Sequence, residues 1–324
     1  MAYRVSLLSG FSPGVMPQHL RHAHSHVMLM GWATPGLMII SFITLSRPEG
    51  RFIRSARAAT WIALVLSLLS TIPFLGWGYG SVPLGSTRLP LASMISGLAI
   101  CSWYVGAAVY LSRSKPSRDG LSDLCWRTAY VLLLACSVGA WALAFVMTRE
   151  QAHPLWAELS LHLFVDLFGE GWITFCVLAL LFRQTKAADR KFSIAIRVLS
   201  IAVLPTFVLG VDPDLLPSWL ALTSRVAVGV SGLALMWIGL RLRPHLKAAG
   251  PVWRGIRLLL LAKAAGMVVA AAPGGLEWAL SARLRLVYLH LLFAGMLTPA
   301  LYATAAYLWG ERAFPRASAF TVVC

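Results

Sequence analysis

The side chains in this sequence able to do chemistry are concentrated in three places. HLRHAHSH occupies residues 19–26, HLFVDLFGE occupies 162–170, and HLLFAGMLTPALY starts at His290. Imidazoles in such clusters bind metals or haem, and acids spaced by four residues on a helix pass protons. If residues 22–26 are helical, a rotation of ~100° per residue puts His22 and His26 on one face and His24 nearly opposite His26. One helix could then serve two sites. His162, Asp166 and Glu170 follow at i, i+4 and i+8, within an arc of ~80° down one side of a helix. This spacing makes Asp166 and Glu170 the candidate catalytic acids, and His22, His26, His162 and His290 the candidate metal ligands.

Two of the three places share a longer pattern. HVMLMGWATPGLM from His26 and HLLFAGMLTPALY from His290 both read His, four residues, Gly, two residues, Thr-Pro, one residue, Leu. His26, Gly31, Thr34, Pro35 and Leu37 answer to His290, Gly295, Thr298, Pro299 and Leu301. Proline removes a backbone donor and clashes with the carbonyl four residues back, so each helix is expected to break near its glycine. Met28, Met30 and Met296 lie beside the two histidines and would suit copper as soft ligands. Methionine at helical spacing also packs cores.

The elements that position these residues are membrane helices. Hydrophobic residues make up 58% of the 324, charged residues only 12%, and there are 13 tryptophans; mean hydropathy is +0.74. Such a chain is too apolar for an ordinary soluble domain. Runs near the ~20 residues a bilayer requires fall at 26–45, 58–76, 91–111, 127–147, 160–182, 193–210, 219–240, 256–272 and 286–309. The expected architecture is an all-α, polytopic integral membrane helical bundle of about nine transmembrane helices, read as one domain over residues 1–324.

Arginines and lysines orient it. Arg47, Arg51, Arg54 and Arg57 separate spans one and two, and similar clusters follow spans three, five and seven, whereas the alternate loops are poor in them. The positive-inside rule then places the N-terminus outside and the C-terminus inside a cell (inner) membrane. The net charge of +16 is thus a topology signal rather than a nucleic-acid footprint. Residues 1–25 are too polar for a signal-peptide core, so the first span is expected to insert uncleaved. The five cysteines form no CxxC and fall mostly inside spans, which argues against a disulfide framework or a thiolate metal site.

With this topology His24, His26, His162 and His290 all lie toward the outer face, where Arg21, Arg225, Arg283 and Arg285 also fall. Guanidinium forks at that level would hold haem propionates; they would equally meet lipid phosphates. His24, His26 and His290, with Arg21, Arg225 and Arg283, form the candidate cofactor-binding set.

The segment from His24 through Gly31 resembles the HxHxxLxG helix of the haem–copper oxidase superfamily, especially its nitric oxide reductase branch. HLFVDLFGE resembles the helix that supplies a His and a Glu to the non-haem iron in that branch. The multi-span build with His-bearing helices is also similar to the NnrS family. The resemblance covers about two helices of nine, in reversed order. It implies haem held by His24 and His26, and copper or non-haem iron near His162 and Asp166. It further implies redox chemistry or binding of a small gas such as nitric oxide or oxygen, with an electron-donor protein or cytochrome subunit as partner. From the residues alone, an oxidoreductase, a gas-binding protein and a proton-coupled transporter remain open. The transporter would use His162, Asp166 and Glu170, with Lys263, as an ion relay, and would have the lipid bilayer as its partner.

Overall fold

In the computed structural model, residues 16–45, 50–113, 120–147, 149, 153–187, 189–246, 249–282 and 284–310 are described. Arg47, Lys115, Arg118, Lys247, Arg283 and Cys324 lie outside them. The chain is an all-α, multi-pass membrane protein. Among the described residues, seven helices are long and apolar enough to cross a membrane, and a bent pair makes up to eight.

In chain order the helices are α1 (Pro17–Thr44), α2 (Gly50–Trp77), α3 (Leu91–Arg113), α4 (Leu121–Val146) and α5 (Pro154–Thr185). Then come α6 (Arg190–Ala202), α7 (Ser218–Arg241), α8 (Pro251–Ala271), the short α9 (Gly275–Ser281) and α10 (Leu284–Trp309). A small hairpin, β1 (Val82–Leu84) and β2 (Thr87–Leu89), joins α2 to α3; Gly85 turns it with φ +61°, a value glycine adopts without steric penalty. Each of the nine apolar runs falls on one of these helices. The run at 193–210 becomes α6 plus a 3-10 segment, Leu204–Gly210, bent by 45° at Pro205, which cannot continue the backbone ladder. The run at 256–272 becomes α8, which carries Arg254, Arg257 and Lys263.

The breaks expected at Pro35 and Pro299 take the form of π-helical turns, Val27–Ala33 in α1 and Leu291–Leu297 in α10. A third π turn, Phe168–Ile173, interrupts α5. Such turns carry one extra residue and often mark functional positions.

The chain groups into two compact units, residues 1–109 and 110–324. In the first, α1 packs along α2, with Gly31 near Ser67 and Leu68, and Met38 and Phe42 of α1 fill the space beside Gly106 of α3. In the second, α5 is the central element. Its apolar window is 72% buried, against 28–50% for the other six candidates, because residues 171–182 are apolar or small on every side and so must be surrounded. It packs on α4, where Gly139 brings its backbone against Ser160 and Phe164, an approach only a residue without a side chain permits. The 3-10 segment after α6, together with α10, also lies on α5, while α7 pairs with α8.

Candidate functional site

The column on α5 is the most developed polar constellation in the second unit. Spaced by four residues, Glu158, His162, Asp166 and Glu170 share one side of the helix, and each finds a partner on another element or on the column itself. Glu158 accepts from the backbone N–H of Asp212 at 2.7 Å. His162, 5% exposed, donates from Nδ1 to Asp166 Oδ2 at 2.6 Å. The other Asp166 oxygen accepts from Arg285 of α10 at 3.4 Å. Gly210 backs this pair; a Cβ there would overlap His162 Nδ1 and Asp166 Oδ2.

One turn deeper, Glu170 meets two helices at once. Lys263 of α8 donates to Oε2 at 2.5 Å, and the Tyr288 hydroxyl of α10 donates to Oε1. Lys263 also lies 3.3 Å from the Tyr288 oxygen and 3.5 Å from Met267 Sδ, with its ammonium 5.0 Å from the Tyr288 ring centre, within cation–π range. Side-chain exposure falls along the bonded series from 50% at Arg285 to 27% at Asp166, 13% at Glu170 and 0% at Lys263, while His162, on the other side of Asp166, is itself buried. The polar path therefore opens at one end and closes on the lysine. Successive acids stand one helical turn apart, ~6 Å along the axis.

The histidine-rich end of α1, in the first unit, is arranged differently. His26 Nε2 lies 3.2 Å from the Tyr79 hydroxyl and Nδ1 lies 3.3 Å from Ser96 Oγ. Its ring stacks on Phe74 at 4.0 Å. His22 meets the edge of Tyr79 at 4.8 Å. Desolvation raises the Tyr79 phenol above its ordinary pKa, which keeps it a neutral hydrogen-bonding partner. His24 is exposed, and Arg21 is exposed beside it. Arg225, in the second unit, is paired with Glu277 at 3.0 Å.

His290 belongs to the second unit. Its Nδ1 bonds the Leu286 carbonyl at 2.8 Å, so Nδ1 carries the proton and Nε2 keeps the lone pair. A shallow, open apolar depression of about 400 Å³ lies beside it, lined by Leu259, Leu286, Val287 and Leu291.

These arrangements differ in their fit to haem or metal. His290 fits an axial ligand, because a backbone carbonyl fixes its tautomer, as is usual for ligating histidines. His26 has hydroxyl partners at both ring nitrogens, one of which an iron or copper would have to displace. No group of three or more His, Cys, Asp or Glu that could hold a metal ion occurs among the described residues.

Three participants escaped the reading of the sequence. Glu158 continues the i, i+4 spacing and could have been found from it. Tyr288 and Gly210 could not, because only tertiary packing brings them to the column. No family model, curated protein or solved structure matches the chain.

Proposed function

We propose that this chain is a multi-pass protein of the cell inner membrane whose second unit takes up protons through the α5 column and holds them at a buried centre of Glu170, Lys263 and Tyr288, as a proton-coupled carrier requires. The observation that carries this reading is the contact of Glu170 with both Lys263 and Tyr288 at the closed end of a path whose other end is exposed. Buried ionisable groups in membrane helices are costly and mark ion or proton pathways. A path open at one end suits uptake and storage rather than free conduction. The arginine and lysine distribution supports nine crossings with the N-terminus outside, which opens the column toward the outer face.

Infrared difference spectra of the purified protein, recorded as buffer pH is lowered, test the reading. A protonated-carboxyl band should grow in the wild type, vanish in Glu170→Gln and persist in the surface control Glu277→Gln. An identical band in the wild type and Glu170→Gln would overturn it.

The depression beside His290 favours a second reading, that of a haem protein with His290 as an axial ligand. A bound haem would supply one-electron chemistry and an iron able to take a gas ligand. Here the chain fixes the imidazole tautomer through Leu286 and lines one side of an open site with aliphatic side chains. Protein expressed with added haem should show a Soret band that His290→Ala removes or shifts; wild type without the band rules this reading out.

A further inference from the structure

The π turn in α5 is a third copy of the pattern seen at His26 and His290. Aligned on their threonines, the segments read His26, Gly31, Thr34; Asp166, Gly171, Thr174; and His290, Gly295, Thr298, with identical spacings of five and three residues. Each π turn ends on the residue before its threonine. In all three, the threonine hydroxyl donates to the carbonyl five residues back: Thr34 to Leu29, Thr174 to Gly169 and Thr298 to Phe293, each at 2.9 Å. The same threonine's backbone N–H bonds that same carbonyl. Serine and threonine in an α-helix ordinarily back-bond within four residues, so a clamp at five belongs to the π register.

Proline follows the threonine in two copies, but Phe175 takes its place in α5. The π turn persists there without a proline. What the three copies share is the threonine clamp, and the copy in α5 is the one that encloses a charged side chain, Glu170.

We infer that Thr174 is a positioning residue for Glu170. By clamping Gly169 it holds the extra residue of the π turn and thereby sets the carboxylate between Lys263 and Tyr288. Loss of that extra residue would rotate the two halves of α5 against each other by ~100°. Asp166 and His162, which precede the turn, would then keep their partners while Glu170 left its own. The groups facing Glu170 are Lys263 and Tyr288, with Asp166 one turn away and bonded there to His162 and Arg285. The inference rests on the relay reading and deepens it.

The test uses the carboxyl band assigned by Glu170→Gln. Thr174→Val should shift the pH profile of that band and change the rate of its hydrogen–deuterium exchange response. Thr174→Ser, which keeps the hydroxyl, should restore both. Thr34→Val, which removes the sister clamp in α1 of the first unit, should leave the band's pH profile as in the wild type. Thr174→Ala serves if valine prevents folding. A band insensitive to Glu170→Gln would defeat the relay reading itself. A band lost in Glu170→Gln but unchanged in Thr174→Val, or moved equally by Thr34→Val, would defeat the inference alone.

Discussion

Replacing Lys263 with methionine should destabilise the folded protein by about 3–5 kcal/mol, the cost of leaving one member of a buried ion pair without its partner. The Lys263 side chain is fully buried and Glu170 nearly so. Methionine nearly preserves the volume but removes the donor to Glu170 and to the Tyr288 oxygen. The carboxylate would keep Tyr288 alone. Glu170→Gln combined with Lys263→Met should recover much of the loss, because a neutral, packed pair replaces the charged one without an orphan. Thermal unfolding in detergent of the two single variants and the double variant closes the cycle. Additive losses would show that the two side chains are not coupled.

Gly210→Ala should cost about 1–3 kcal/mol through crowding, and about 1–3 kcal/mol more if the displaced His162 and Asp166 lose their bond while buried. The new methyl would occupy the space of His162 Nδ1 and Asp166 Oδ2. The crowded atoms are the bonded ends of the two side chains, so relief requires His162 or Asp166 to turn away and give up the bond between them. The contrast is Gly266→Ala in α8, where no atom lies within 4 Å of the added carbon. That substitution should be neutral or stabilising by up to ~1 kcal/mol through helix propensity. Unfolding midpoints of the two variants should move apart, and a matching shift in both would remove the argument for a packed wall behind the column.

Apolar run length was enough to locate all nine helical segments, because a membrane helix is written as a continuous local signal. The side shared by His162, Asp166 and Glu170 was equally legible, since helical spacing fixes it. Their partners were not: Lys263 is 93 residues from Glu170 and Tyr288 is 118, and helix packing is not encoded in local periodicity. His26 shows the converse. Its motif reads as a ligand, yet Ser96 and Tyr79, 70 and 53 residues away, occupy both nitrogens. The third π turn was hidden because the pattern was anchored on histidine and proline, whereas α5 has Asp166 and Phe175 at those places and keeps only the glycine and the threonine.

The distance in sequence between Glu170 and Lys263 also has a consequence for synthesis. An intramembrane acid costs ~2.5–3.5 kcal/mol on insertion scales, and the apolar run of α5 at 160–182 carries two, Asp166 and Glu170. At ~5–20 residues per second, the 93 intervening residues take roughly 5–20 s to emerge. Until Lys263 emerges, Glu170 lacks the cation that neutralises it in the finished fold. The nascent chain is then most exposed to membrane quality control, and a ribosome pause placed before α8 would lengthen the hazard without altering a single contact in the finished protein.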